Sequence, residues 1–114
     1  MSRIIIVICA MLISSSLFAQ NNKVTESEFK VSGVCEMCKT RIEKSMKIKE
    51  VKHAKWNKKT QTIKLAFLSN AITSDSLMKR IAAVGHDNES YKAPDSVYAK
   101  LHSCCLYREG QSAH

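Results

Sequence analysis

The spacing of apolar side chains changes period along residues 26–92, and this change limits the fold more than any other feature. Residues 26–32 alternate between apolar and polar side chains, which is typical of a half-buried strand ending at Gly33. Residues 36–46 instead carry apolar side chains at helical intervals, at Cys38, Ile42 and Met46. The pattern predicts a strand and then a helix of about three turns, with Cys35 in the loop between them.

The middle of this region predicts a hairpin and a second helix. Residues 51–56 and 62–68 alternate around a polar turn, as the two strands of a β-hairpin do. Thr73 or Ser74 is a suitable N-cap for an amphipathic helix, which Gly85 would end.

A final edge strand is predicted for residues 88–92, which are short and polar. The complete order predicts an α+β domain with the ferredoxin-like βαββαβ fold, in which two helices cover one face of a four-stranded antiparallel sheet. We assign this domain to residues 26–92, after a flexible N-terminal segment at 20–25 and before an extension at 93–114. The extension is expected to form a short helix from Pro94 to about Leu101, which leads to Cys104 and Cys105, and to end in a loose tail.

Residues 1–19 have the pattern of a secretory signal peptide. Arg3 gives a cationic start, residues 4–13 form an apolar run, and small residues lead to Ala19, after which we predict cleavage. The apolar run is shorter than the ~20 residues that a membrane span needs. We therefore favour export to the periplasm or secretion, with no stable membrane anchor after cleavage, over an anchored protein.

The charge of the chain bears on its partners. The sequence has 18 Lys and Arg against 10 Asp and Glu, a net charge of +8, and 114 residues leave room for one core. Lysines interleaved with Trp56 in residues 44–59 also occur in nucleic-acid-binding proteins, but export argues against a nucleic-acid partner. We interpret this stretch as a solvated basic face or a docking surface for an acidic protein.

Removal of Cys9 with the leader leaves four cysteines, Cys35, Cys38, Cys104 and Cys105. In an oxidising compartment these could pair in three ways. One pair is a C-x-x-C and the other is vicinal, so a disulfide within either pair would close almost no chain and stabilise the fold little. This spacing favours a chemical role for the cysteines.

The C-x-x-C lies where a loop enters a helix, a position that favours thiolates. Unpaired N–H groups and the positive end of the helix dipole stabilise a negative sulfur and lower its pKa. Lys39 and Arg41 add positive charge nearby or are solvated helix residues. Because thiolate sulfur prefers soft ions, Cys35 and Cys38 are candidate ligands for Cu(I), Hg(II) or, with more ligands, Zn(II).

Residues 31–43, which read VSGVCEMCKTRIE, resemble the metal loop of heavy-metal-associated domains, the family of small copper chaperones and the periplasmic mercury-binding protein. The resemblance spans about residues 26–92. It implies the βαββαβ fold, with Cys35 and Cys38 binding a soft metal ion and passing it to a partner. The loop departs from the family's usual Gly-Met-Thr-Cys-x-x-Cys, because Gly33 is one residue closer to Cys35 and Met-Thr is missing. Metal identity and exchange rate therefore do not carry over.

His86 follows the second predicted helix, and the loop there lies at the same end of a split β-α-β fold as Cys35 and Cys38. Family members often carry an aromatic residue or a lysine there that tunes the site. We expect His86 to be an electrostatic neighbour of the thiolates; a third ligand and a surface histidine are the alternatives. His53 and His102 are expected to be solvated or half-buried.

The extension can return Cys104 and Cys105 to this end of the domain, since a helix after Pro94 rises ~1.5 Å per residue. We expect one or both thiolates to complete a three- or four-sulfur shell or to form a second metal site. An exposed or oxidised pair, or a structural disulfide to the loop, is the alternative. Met37 and Met46 offer thioether sulfur for a methionine-rich copper box, but we expect Met46 to lie in the core and Met37 to pack beneath the site.

These features predict a non-enzymatic, exported protein that binds a soft heavy-metal ion for transfer, sequestration or resistance. Its partner would be a protein metal donor or acceptor, such as a transporter or another metal-binding domain. A periplasmic thiol–disulfide oxidoreductase with Cys35 as nucleophile is an alternative, although no Trp precedes Cys35 and Pro94 follows the last predicted strand. A structural zinc or disulfide module is the third interpretation.

Overall fold

The computed structural model describes residues 23–109, which form an antiparallel sheet with helices packed on one face. Three strands, β1 (Val24–Lys30), β2 (Val51–Asn57) and β3 (Thr62–Leu68), lie in the order β1-β3-β2. Helix α1 (Glu36–Ser45) connects β1 to β2, and α2 (Ser74–Ala83) follows β3. The strand, helix, hairpin and second helix predicted from the sequence are confirmed. The predicted leader at residues 1–19 lies outside the described residues.

β3 is the central strand of the sheet. It pairs along its whole length with β1, from Leu68 opposite Val24 to Thr62 opposite Lys30, and with β2 on its other side. β1 begins at Val24, slightly before the predicted start at residue 26. No helix in residues 23–109 has the length and apolar character needed to cross a membrane.

The core lies between the sheet and the two helices. β3 directs Ile63, Leu65 and Phe67 toward the helices, and all three are at most 3% exposed. The helices supply side chains at the predicted intervals; those buried are Cys38 and Ile42 of α1 and Leu77, Met78, Ile81 and Ala82 of α2. The N-cap of α2 is Thr73, whose Oγ1 accepts a hydrogen bond from the Ser76 N–H.

The predicted fourth strand at residues 88–92 is wrong, and so is the four-stranded sheet. In the described part of the chain this segment forms one isolated bridge, between Val31 and Asn88. Asn88 Oδ1 accepts hydrogen bonds from the backbone N–H groups of Ser90 (3.1 Å) and Tyr91 (2.9 Å). The side chain thereby closes a turn that competes with strand pairing and ends the ladder after one bridge.

Residues 94–109 pack on the domain, so the expected loose tail is wrong as far as Glu109. Helix α3 (Asp95–Tyr98) is one turn long and shorter than predicted. Two 3₁₀ turns follow, at Ser103–Cys105 and Tyr107–Glu109. Tyr98 and Cys105 are buried, so the extension contributes to the core.

Candidate metal centre

The loop between β1 and α1 is held against the sheet by Trp56. The Trp56 Nε1–H donates to the Val31 carbonyl oxygen (3.0 Å), and the Gly33 N–H donates to Oε1 of Gln61 (2.9 Å). A Cβ at position 33 would lie 2.9 Å from Trp56 Cζ2 and 3.1 Å from the Cβ of Cys38. Glycine is therefore required for this close approach, which brings the loop directly onto α1.

Cys35 is the N-cap residue of α1, and Cys38 lies in the first turn. The Cys35 backbone is extended (φ −142°, ψ 173°), and its side chain makes no capping hydrogen bond. Cys35 is 6% exposed and Cys38 is fully buried. Lys39 is engaged away from the sulfur atoms, because its Nζ pairs with Glu43 (2.8 Å) and donates to the Trp56 carbonyl (3.0 Å).

The second cysteine pair meets the first around Cys35. Its 3₁₀ turn begins at His102, whose Nδ1 accepts a hydrogen bond from the Cys104 N–H (3.3 Å). Cys35 Sγ lies 3.4 Å from Sγ of Cys38, 3.3 Å from that of Cys104 and 3.2 Å from that of Cys105. The Sγ atoms of Cys104 and Cys105 are 3.8 Å apart, and those of Cys35, Cys38 and Cys105 all lie within 4.8 Å of one another. The four cysteines of the described residues, here called the sulfur cluster, are free thiols.

The sulfur cluster concentrates negative charge on Cys35. Burial opposes ionisation, but hydrogen bonds from Cys105, Cys104 and Cys38 outweigh burial and lower the pKa of Cys35 to about 7. Burial raises the pKa of Cys38 to about 12. The pKa of Cys104 is raised to about 12, mainly by its hydrogen bond to Cys35 and to a smaller extent by burial. The cluster thus favours a thiolate at Cys35 over one at Cys38 or Cys104.

His86 is fully buried and is not a member of the sulfur cluster. Its Nδ1 lies 2.9 Å from the Ser32 carbonyl oxygen, and its Nε2 lies 3.4 Å from Nη1 of Arg41. The ring stacks on Tyr107, with 5.6 Å between centroids. Burial lowers the pKa of His86 to about 4 despite its hydrogen bond to Ser32, so the ring is neutral at pH 7. His86 is therefore not a surface histidine, and both ring nitrogens face protein atoms other than the cysteines.

His53 and His102 lie on the surface. Both side chains are exposed, and His102 caps the turn that carries Cys104.

Sequence reasoning missed the contacts of Arg108, which hold the extension on the domain. The guanidinium donates to both carboxylate oxygens of Asp87 (2.6 and 3.0 Å), to the Ala93 carbonyl (2.8 Å) and to Asp95 (3.0 Å). It also lies over the Tyr98 ring, 4.2 Å from the centroid. No sequence motif predicts these contacts, because Asp87 and Arg108 are 21 positions apart.

Tyr107 joins the extension to the end of α2. Its hydroxyl donates to the Gly85 carbonyl (2.7 Å) and accepts a hydrogen bond from the Asp87 N–H (2.8 Å). Leu101 packs directly on Gly85, where a Cβ would lie 2.8 Å from Leu101 Cδ2. These contacts flank the turn that brings Cys105 to Cys35.

Met37 does not pack beneath the site as expected. Its side chain is 45% exposed, and its Sδ lies 3.5 Å from Sγ of Cys104. Cys104 is the only partly exposed member of the sulfur cluster, so the two sulfur atoms meet at the edge of the buried site.

Comparisons with solved structures support the fold. The N-terminal domain of a potential copper-translocating P-type ATPase from Bacillus subtilis, in the Cu(I)-loaded state, is 25% identical with a TM-score of 0.55; the match covers 66% of this chain and 96% of that chain. The water-soluble region of the P-type ATPase CopA from Bacillus subtilis is 28% identical with a TM-score of 0.53, over 59% of this chain and 46% of that chain. The CopZ metallochaperone is 20% identical with a TM-score of 0.54, over 56% of this chain and 98% of that chain. No family model and no curated protein matches the sequence.

The fold is that of heavy-metal-associated domains. The resemblance stated for residues 31–43 is confirmed by these structural neighbours, one of which was solved in the Cu(I)-loaded state. The heavy-metal-associated fold is present with three strands among the described residues, and the segment expected as a fourth strand forms a turn after a single bridge.

Proposed function

We propose that this protein binds a soft metal ion of the Cu(I) type as its cargo, in a site made by the sulfur cluster. The observation that carries the proposal is the convergence of three sulfur atoms within 3.4 Å of Cys35 Sγ. The Cu(I)-loaded state of a structural neighbour supports copper as the ion. The chemistry of the donors agrees, because thiolates without imidazole or carboxylate favour soft ions.

The spacing of the sulfur atoms suits a shared ion. Four sulfur atoms at ~2.3 Å from one tetrahedral ion lie about 3.8 Å apart. The separations of 3.2 to 3.4 Å around Cys35 need only a small outward shift, and Cys35, Cys38 and Cys105 are the three sulfur atoms that all lie within 4.8 Å of one another. Cys35, Cys38 and Cys105 would hold the ion, with Cys104 as a fourth ligand or a ligand of a neighbouring ion.

The burial of the cluster favours firm retention over rapid exchange. Three of the four cysteines are buried, and a partner's thiolate must form a bond to the ion before one of the resident sulfur atoms leaves. Cys104, as the half-exposed sulfur, is the atom at which such an exchange would begin. We therefore propose sequestration, with transfer occurring when the extension moves.

The setting of this function is a further part of the proposal. The pattern of residues 1–19 supports export to the periplasm or secretion. The neighbours include a metallochaperone and copper ATPase domains, which supports a transporter-type partner that receives or delivers the ion. No step of this function requires catalysis.

Anaerobic titration of the reduced protein with Cu(I), Hg(II) and Zn(II) tests the function. We expect tight Cu(I) binding that Cys35→Ser/Cys38→Ser abolishes and Cys104→Ser/Cys105→Ser weakens, because each pair supplies part of one shell. A His53→Gln variant, changed at an exposed position, serves as the control. Tight binding of Hg(II) without tight binding of Cu(I) would contradict copper as the cargo and indicate mercury instead.

The same protein samples distinguish metal binding from the competing redox function. Binding no stronger than that of a simple dithiol, together with Cys35-dependent reduction of a disulfide substrate, would assign the protein to the thiol–disulfide oxidoreductases. Tight Zn(II) binding by all four cysteines, without exchange, would instead indicate a structural module.

A further inference from the structure

Met37 differs from the other methionines of the described residues by facing solvent. Met46 and Met78 are each 1% exposed and belong to the core, whereas Met37 is 45% exposed. Single exposed apolar side chains are common and need no explanation. Met37 is distinguished by its contact with a cysteine, because its Sδ lies 3.5 Å from Sγ of Cys104.

The local structure places these two sulfur atoms between solvent and the buried cysteines. Met37 lies on the first turn of α1, between Cys35 and Cys38 in sequence. Cys104 contacts Met37 on one side and Cys35, at 3.3 Å, on the other. An ion that approaches from solvent can therefore meet a thioether and a thiol before it meets a buried sulfur.

We propose that Met37 Sδ and Cys104 Sγ form a second, solvent-facing site for soft monovalent ions, Cu(I) or Ag(I). This outer site rests on the proposed function, because it adjoins the buried cysteines that would hold the cargo. A thioether is a neutral, soft donor that binds Cu(I) and offers little to harder ions such as Zn(II). One thiolate and one thioether also carry less negative charge than two thiolates, so the pair suits a monovalent ion.

The outer site supplies a route into the cluster by ligand exchange. The ion bound by Met37 and Cys104 gains a bond to Cys35 Sγ and then loses its bond to Met37 Sδ. The metal keeps its oxidation state, and any thiol that becomes a ligand gives its proton to solvent. Cys35 thus joins the outer site to the buried sulfur atoms.

Titration of the reduced protein with Ag(I), followed by NMR of ¹³C-labelled methionine methyl groups, tests the outer site. We expect two equivalents to bind, the first by the buried cysteines and the second with a shift of the Met37 methyl signal. Met46 and Met78 serve as internal controls, because their methyl groups lie in the core. Met37→Leu and Cys104→Ser should each remove the second equivalent, whereas Met46→Leu, a matched change in the same helical region, should keep it.

The results separate this inference from the proposed function. A normal first equivalent with an unmoved Met37 methyl, or a second equivalent that survives Met37→Leu, would overturn the outer site alone. The methyl signal of Met78, which lies in the core, reports that each variant is folded. If Ag(I) and Cu(I) bind nowhere tightly, both the outer site and the proposed function fall.

Discussion

At the scale of single residues, His86 shows how the domain tolerates an ionisable ring in its interior. Both ring nitrogens lie near partners, at Ser32 and Arg41, and Tyr107 covers one face. Burial opposes protonation most strongly, and the neighbouring Arg41 charge adds to it. The folded state therefore requires the neutral ring.

We predict that the free energy of unfolding falls as the pH decreases from about 6.5 toward 4. The folded-state pKa of His86, about 4, lies below its ordinary value of 6.5, so the unfolded chain binds the proton first in this range. The full effect is about 3 kcal/mol. Urea unfolding of the metal-free reduced protein at a series of pH values measures the decrease.

The variant His86→Gln should lose this slope, and His53→Gln should retain it. The interval between pH 6 and 5 isolates the histidine, because Cys35, with a pKa of about 7, is mostly protonated there and Glu43 and Asp87 have pKa values held below 4.5 and 3.8 by Lys39 and Arg108. Equal slopes in the wild type and in His86→Gln would contradict the prediction.

The same scale shows what the sequence could predict of the site. The position of the C-x-x-C at the start of a helix was predictable, because it depends only on residues close to it in the sequence. The exposure of Met37 was not, since one position along a helix is a rotation of about 100° and only the packed helix shows which side faces solvent. The depth of His86 likewise depends on Tyr107, 21 positions later in the chain.

At the scale of elements, the extension depends on Arg108. Its guanidinium joins Asp87 at the end of α2 to Ala93 and to the Tyr98 ring of α3. The Arg108 and Asp87 side chains are 19% and 24% exposed, so their pairing is partly shielded from water. A bidentate pair in such a setting stabilises more than an exposed one does.

We predict that Arg108→Gln loosens the extension and exposes Cys105. Loss of hydrogen bonds to a charged group costs about 2 kcal/mol, which raises the opened population about thirtyfold if opening is local. Alkylation of Cys105 by iodoacetamide, followed by mass spectrometry in a Cys104→Ser background, measures the opening.

Arg80→Gln is the matched control for this change. Arg80 is exposed, and its Nε donates to the Ser45 carbonyl at the end of α1 (2.8 Å). An unchanged Cys105 rate in Arg108→Gln would show that other contacts hold the turn.

Elements with their own periodicity were predictable, and those defined by distant partners were not. α1, α2 and the hairpin follow from local spacing of apolar residues. The segment at 88–92 has no such pattern, and it forms a turn because the Asn88 side chain accepts hydrogen bonds from the backbone of Ser90 and Tyr91. The packing of the extension needs Asp87 and Arg108 together, which no single segment reveals.

At the scale of the whole molecule, the sulfur cluster joins two distant parts of the chain. Cys35 contacts Cys104 and Cys105 across separations of 69 and 70 positions. The loop is fixed by the sheet and α1, while the extension is held by side-chain contacts. An ion bound by both parts would therefore act as a crosslink that keeps the extension closed.

We predict that Cu(I) slows tryptic cleavage at Lys100, an exposed residue of the extension. Saturating Cu(I) lowers the population of the open form by the ratio of the Cu(I) affinities of the closed and open forms, because opening leaves the ion with only Cys35 and Cys38. Cleavage at Lys49, an exposed residue between α1 and β2, should change little because the ion does not close that loop. Equal protection of both sites, or protection that persists in Cys104→Ser/Cys105→Ser, would refute the crosslink.

The 3₁₀ turn that carries the vicinal cysteines has one more consequence. Successive residues in such a turn point about 120° apart, and here Cys105 is buried while Cys104 is half-exposed beside Met37. Both neighbours contact Cys35, Cys105 from the interior and Cys104 from the surface, so the position of each cysteine in the turn decides which one faces solvent. Inserting a single residue into the stretch that leads into the turn would move Cys104 to the inner position and leave the Ser103 hydroxyl at the entrance, so the length of that stretch is itself under chemical constraint.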